Sequence, residues 1–191
     1  MSFLLETQRL LLRPFELRDI HSLSEYRSDP EVERYQGWDA PFSIERARSF
    51  VAAMQNAKPG LPGDWYQVAI ALRQPAPQQP GLLIGDCVFC LLREDPSQAE
   101  IGFTLARAYQ GQGYAYEAVS RLLSYLFGNL GLHRVRANCD VQNHASARLM
   151  ERLGMRREAH LIDSLWFKGA WASEYWYAIL RYEWEQNKEF R

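Results

Sequence analysis

The chain has almost no net charge. At −1 over 191 residues, it offers no electrostatic reason to bind nucleic acid or an anionic membrane. It has no apolar run approaching the roughly 18 residues that a membrane-spanning helix needs. It also has no secretory leader pattern, because Arg9 and Arg13 interrupt the apolar stretch near its start. A cytoplasmic protein is the expectation. No internal repeat and no shift of composition marks a second domain, so residues 1–191 are read as one. Cysteine is scarce, with three in all. Cys87-Val-Phe-Cys90 has the spacing of zinc and redox sites, but it lies inside a run, Leu83 to Leu92, that reads as a strand. Residues three apart in a strand point to opposite faces. Neither a metal nor a disulfide is therefore expected there, and both thiols are assigned to core filling.

What is present begins with a 47% hydrophobic composition, enough for one real core at this length. Arg9 to Arg13 reads as the first strand, closed by Pro14. Asp19 is placed as N-cap of a helix running to Tyr26 or Arg27, and Ser43 as cap of a second, Ile44 to about Asn56, with Phe50, Val51 and Met54 facing inward. Lys58-Pro-Gly-Leu-Pro-Gly63 ends it. Trp65 to Arg73 and Leu82 to Leu92 read as antiparallel strands joined by the exposed loop Gln74 to Gly81. A strand–helix–strand unit follows, from Glu100 to Leu105 through a long helix to His133 to Cys139, and is expected to be a right-handed parallel crossover. Asn143 caps the next helix and Gly154 stops it. Two last strands, Arg156 to Phe167 and Ala172 to Tyr182, complete a mixed α/β sheet, antiparallel early and parallel in the middle.

The densest signal is Gln110-Gly111-Gln112-Gly113-Tyr114-Ala115. It joins the alternating strand Glu100 to Leu105 to a helix whose apolar residues, Ala118, Val119, Leu122, Leu123, Leu126 and Phe127, recur at three- and four-residue steps. A Gly-rich turn there directs backbone N–H groups and the positive end of the helix dipole into one space, which suits a phosphate. A dinucleotide fold would require a third Gly and an earlier position in the chain, and a P-loop would continue Gly-Lys-Ser/Thr. The pattern Gln/Arg-x-x-Gly-x-Gly/Ala is satisfied by Gln110, Gly113 and Ala115.

That pattern resembles the pyrophosphate loop of the Gcn5-related N-acetyltransferase superfamily. Asn143-His-Ala-Ser146 with Leu153-Gly154-Met155 resembles a second motif of the same superfamily. The opening Thr7 to Pro14 and the closing Phe167 to Trp171 with Tyr177 to Leu180 resemble the branch that acetylates ribosomal-protein N-termini. The resemblance implies an acetyl-CoA-dependent N-acetyltransferase with no metal, acting on a primary amine by direct attack in a ternary complex. It implies a single α/β domain whose parallel strands splay apart, with Phe103, Thr104 and Leu105 lining the gap that receives the pantetheine arm. Cofactor contacts are expected from these three, from each of Gln110, Gly111, Gln112, Gly113, Tyr114 and Ala115, and from Asn143. Gly113 is expected to leave room for the phosphate. Relatives of the branch suggest a homodimer.

A thioester is already activated. The protein has only to position a neutral amine, stabilise the oxyanion and protonate the departing thiolate. By resemblance Ser146 is the candidate acid, although Ser is also common in the first turn of a helix. Asn143 could cap its helix or bind ligand. For the base, Glu100 matches the histone-acetylating branch, and Asp163, by a small shift from Leu165, matches the ribosomal branch; Glu100 also fits as a plain strand-end carboxylate. Cys139 matches a cysteine beside the thioester in some relatives, but its alternation with Val135 and Ala137 points into the core. Trp38 and Phe42 suggest an aromatic-lined acceptor pocket. An α-amine of pKa about 7.8 is roughly 14% neutral at pH 7 and a lysine only about 0.04%, a difference of roughly 300-fold. Without a clear base, α-amines and low-pKa small amines are favoured. A non-catalytic acyl-CoA-binding module and a transferase for longer acyl groups are the alternatives.

Overall fold

The structure, a computed structural model, describes residues 3–73 and 81–189. The loop expected from Gln74 lies, through residue 80, outside the described residues. In chain order the strands are β1 Leu5–Glu6, β2 Leu10–Arg13, β3 Tyr66–Leu72, β4 Leu83–Leu91, β5 Gln98–Leu105, β6 Arg134–Asp140, β7 Arg156–Phe167 and β8 Ala170–Leu180. The helices are α1 Ile20–Arg27, α2 Pro30–Glu33, α3 Ile44–Asn56, α4 Tyr114–Gly128, α5 His144–Arg152 and α6 Arg181–Glu189. Among the described residues all strands join one sheet, in the order β1-β2-β3-β4-β5-β6-β8-β7. Every neighbouring pair is antiparallel except β5 and β6, the parallel pair that the α4 crossover joins.

Each sheet face buries its own set of helices. On one face the apolar stripe of α4, including Leu122, Leu123 and Leu126, packs with Val68, Ile70, Ile101, Val135 and Met150 of α5. On the other, Leu23 of α1, Val32 of α2 and Val51 of α3 pack with Ala69 and Leu83. Strand alternation explains the division, since Val68 and Ile70 face one side and Ala69 the other. Cys87 and Cys139 lie within the α4 face core, and all three cysteines are free and buried. Among the described residues no His, Cys, Asp or Glu group could hold a metal, and no helix is long and apolar enough to cross a membrane.

The caps at Ser43 and Asn143 form as read: the Ser43 hydroxyl accepts from Arg46 N–H at 3.2 Å and Asn143 Oδ1 from Ser146 N–H at 3.1 Å. Gly154 stops α5 with φ of 85°. Asp19 does stand at the N-cap position of α1, but its side chain does something else. Its carboxylate is buried, accepts from the Arg13 guanidinium at 2.6 and 2.8 Å and from Glu16 N–H at 2.8 Å, and makes no capping bond to α1. A charged partner within reach outweighs an orphan helix N–H, because a buried carboxylate needs its charge matched. The last strand ends at Leu180, and Arg181 and Tyr182 begin α6, in which Trp184 packs on Phe127.

Candidate acyl-donor and acceptor site

The feature that makes a site is where the β5–β6 ladder ends. Register pairs run Gln98↔Arg134, Ala99↔Val135 and Glu100↔Arg136, and stop there. β5 continues to Leu105 against β4, and β6 continues to Asp140 against β8. From Ile101 to Leu105 the edge of β5 that faces β6 therefore has no strand partner, and backbone groups without a ladder are available to a ligand. The ion pair Arg136–Glu100, 2.9 Å long, sits at the last paired position.

A cavity of about 480 Å³ occupies this opening. Its wall takes Phe103, Thr104 and Leu105 from β5, the Gly loop and first turn of α4, Asn143 and Ser146 of α5, and the α2 segment. Since α2 packs on one sheet face and α4 and α5 on the other, a single cavity bounded by all three must pass between the diverging strands. Of the residues expected to hold the cofactor, all but Gln112 line it. The Gln112 side chain instead donates to Ala108 O at 2.8 Å.

The loop has the makings of an anion cradle. Gly111 and Gly113 have φ of 73° and 82°, the left-handed region that favours glycine. Clearance from the rest of the protein is not what requires glycine: a Cβ at Gly111 would meet no protein atom within 4 Å, and one at Gly113 only Arg9 Nη2 at 3.4 Å. Gly113 occupies the N-cap of α4 and has no side chain to bond the first-turn N–H groups, and the first helical bond runs from Glu117 N–H to Gly113 O at 3.0 Å. The amides of Tyr114 and Ala115 thus remain for a ligand. The Gln110 amide does not, because it donates to Arg107 O at 3.2 Å, while its side chain ties the loop to Leu105 O at 3.0 Å.

The opening motif gains a physical reason here. Glu117 of α4 accepts from Thr7 Oγ1 at 2.6 Å, Arg9 N–H at 2.9 Å and Arg9 Nε at 2.6 Å. Burial alone would raise the Glu117 carboxyl, but these bonds and the Arg9 charge outweigh it and hold it below the ordinary carboxylate range. Arg9 also donates to Gln112 O at 3.1 Å and lies 4.3 Å from the Tyr114 ring centre. The turn between β1 and β2 thereby clamps the loop.

Ser146 lies on the cavity wall, and its hydroxyl has no hydrogen-bond partner among the described residues. Glu100 lies off the wall, with Arg136 Nε donating to it at 3.0 Å. Asp163 is off the wall too, in a bulge of β7 at φ 45°, where its N–H donates to Ser173 Oγ at 2.9 Å. The structure therefore brings Ser146 and the loop together, but not Glu100 or Asp163. Cys139 is buried in the core, where desolvation, with Asp140, Glu174 and Glu151 nearby, pushes its thiol up to about 12. At neutral pH it is not a thiolate nucleophile.

Trp38 and Phe42 do not line the cavity. Both stack on Arg27, whose guanidinium lies 4.2 Å from the Trp38 ring, 5.2 Å from Phe42 and 4.4 Å from Phe50. Arg27 pairs with buried Asp86 at 3.1 Å, and the Tyr26 hydroxyl donates to the same carboxylate oxygen. These aromatics cover a buried cation next to the sheet, a demand that the sequence did not reveal. Sequence reading also missed Glu31, Tyr35 and Gln36 of the wall, and Arg148 and Arg152 of α5. The Asp29-Pro30 pair, an N-cap followed by Pro at the first helical position, was the signal for α2.

Comparison with known proteins agrees with this geometry. A family model described as an acetyltransferase (GNAT) domain matches residues 9–156. An uncharacterized N-acetyltransferase of Bacillus subtilis is 35% identical over 178 residues, 93% of this chain and 97% of that protein. An Escherichia coli ribosomal protein uS5-alanine N-acetyltransferase is 29% identical over 88 residues, 46% of this chain and 45% of that one. A solved GNAT-family acetyltransferase from Bacillus anthracis is 33% identical and superposes with a TM-score of 0.81, covering 94% of this chain and 99% of that one.

Proposed function

The chain belongs to the acetyltransferase (GNAT) family, whose members move acetyl from acetyl-CoA to amines, and from that premise we propose that it is an N-acetyltransferase for a primary α-amine or a small amine of low pKa. The single observation that carries this reading is the cavity at the β5–β6 divergence, bounded on one side by the uncapped first turn of α4 and on the other by α2.

The chain's residues divide the work. The amides of Tyr114 and Ala115 and the dipole of α4 hold the pyrophosphate. The free edge of Phe103, Thr104 and Leu105 pairs with the pantetheine arm, and Asn143 adds a polar contact. The amine enters from the α2 side and attacks the thioester carbon directly. The C–N bond forms to give a tetrahedral intermediate and the C–S bond then breaks; the Ser146 hydroxyl passes a proton to the departing sulfur as it takes one from solvent, and the nitrogen gives its proton to solvent, so the serine ends as it began. The Glu100 carboxylate accepts from Arg136 at 3.0 Å and the Asp163 carboxylate from Ser173 Oγ at 3.2 Å, and neither lines the cavity, so neither is given the base role. The loss of a base is tolerable for an amine that is already partly neutral, and this selects α-amines over lysines by roughly 300-fold in available nucleophile.

Thiol release from acetyl-CoA tests the reading, against N-terminal peptides beginning Ala, Ser or Met, lysine peptides and small amines. Release with α-amines or small amines, and little with lysine peptides, is the expected result. Tight coenzyme A binding without release would favour a binding module, and failure to bind coenzyme A would refute the site itself.

A further inference from the structure

The two sides of the cavity differ in charge. Arg148 and Arg152 of α5 stand with the positive end of α4 on one side. Across the divergence stands Glu31, the one carboxylate on the wall among the described residues. Several other carboxylates are engaged. Glu33 pairs with Lys168, Asp29 accepts from Glu31 N–H at 2.9 Å, Glu100 pairs with Arg136, and Glu174 accepts from Asn138 at 2.6 Å. Glu31 itself makes no side-chain hydrogen bond or ion pair with any described residue, and its side chain is exposed. Its charge is free to meet a solute.

The wall that carries Glu31 is held in place. Lys168, at the turn between β7 and β8, donates to Glu33 O at 2.9 Å and to Trp38 O at 2.9 Å besides its ion pair with the Glu33 carboxylate. Trp38 Nε1 donates to Arg27 O at 3.0 Å. One ammonium group thus bridges both ends of the stretch from Glu33 to Trp38, which contributes Tyr35 and Gln36 to the cavity. A charge on a fixed wall selects among solutes in a way that one on a loose loop does not.

A carboxylate beside the reacting nitrogen would favour the ammonium form, which cannot attack. The same carboxylate is well suited to a second positive charge on the acceptor, away from the reacting end. We propose that Glu31 is a specificity-determining residue that takes a second cationic group of the acceptor, with Lys168 positioning the wall that presents it. Amines carrying another positive charge are then preferred over monoamines of the same reach. This rests on the N-acetyltransferase reading above.

The test is calorimetric titration of the diamine alanyl-lysine amide and of the monoamine alanyl-norleucine amide, both α-amines, into the whole protein, with and without coenzyme A, for wild type, Glu31→Gln and the double variant Lys168→Met/Glu33→Gln. The same two amines are then compared as acceptors by KM and kcat. An exposed ion pair of about 1 kcal/mol corresponds to roughly a fivefold preference for the diamine, shrinking as salt is raised. Glu31→Gln should remove that preference through KM, with kcat and coenzyme A affinity unchanged. The double variant Lys168→Met/Glu33→Gln should weaken both amines together, since it loosens the wall and leaves no unpaired Glu33 carboxylate beside Glu31. Equal binding of the two amines by wild type, no binding of the diamine, or a preference that survives in Glu31→Gln overturns the proposal. Because the amine preference is read without turnover, its failure is distinct from failure of coenzyme A binding or thiol release, which would sink the functional reading instead.

Discussion

Gly113 separates two reasons for a glycine in the loop: the backbone conformation, or clearance for a phosphate. At φ 82°, any residue with a Cβ is held in the left-handed region at a cost of about 1–2 kcal/mol. Sterics within the protein add little, because the nearest atom to a new Cβ is Arg9 Nη2 at 3.4 Å, an ordinary contact made by a flexible side chain. For a chain of this size about 2–4 °C of Tm corresponds to each kcal/mol. Gly113→Ala should therefore lower the ligand-free Tm by roughly 2–8 °C. Gly113→Asn should lower it less, since Asn tolerates the left-handed region better than Ala. Both variants carry the same Cβ, so if clearance for the phosphate matters as well, both should lose coenzyme A affinity, whatever their stability. Thermal denaturation with and without coenzyme A reads the two effects together, because a ligand bound only by the folded state raises Tm according to its affinity. An Ala variant as stable as wild type would refute the conformational account. Wild-type coenzyme A affinity in both variants would show that the phosphate does not sit against Gly113.

Ser146→Ala should lower kcat by about 100-fold, the low end of general-acid effects. Coenzyme A affinity and folding should be unchanged, because the α5 cap uses the backbone N–H of Ser146 and not its hydroxyl; an unaltered kcat in steady-state assays removes Ser146 from the chemistry. Glu117 gives an acid-side prediction. Its carboxyl is held low, so it contributes stability that is present above its unfolded value, near the ordinary 4.5, and is lost as pH falls through the folded one. Denaturant titrations between pH 6 and 3 should show wild type losing stability more steeply than Glu117→Gln at the acid end. Parallel curves would mean that the contacts to Thr7 and Arg9 do not hold in solution.

Most of the fold was legible in local pattern. The α4 stripe, the Ser43 and Asn143 caps, the Gly154 stop and the strand runs of β3 to β7 depend on neighbours within a few residues, and there periodicity and capping chemistry decide the outcome. Errors fell where a distant partner intervened. Asp19 stands at the N-cap of α1 as read, but Arg13, in the neighbouring strand, claims its side chain. Arg181 and Tyr182 continue the apolar alternation of β8, but the chain turns into α6 so that Trp184 can reach Phe127. Both outcomes are tertiary contacts overriding local preference, which a single sequence does not display.

The site divides along the same line. Its donor side is a contiguous loop at the start of a helix, so the phosphate chemistry could be read from six consecutive residues. Its proposed acceptor side is assembled from pieces more than 60 positions apart: α2 comes from the first quarter of the chain, β5 from the middle, and Lys168 reaches back to Glu33 across 135 positions. Nothing local marks Glu31 as different from Glu33. Only in three dimensions does one of the two lose its charge to Lys168 while the other keeps it on a cavity wall. In the proposed reading the acyl-donor half is therefore written in a motif and the acceptor half in the packing. For that reason substitutions in α2 and at the β7–β8 turn, rather than in the Gly loop, are where a change of acceptor should be sought.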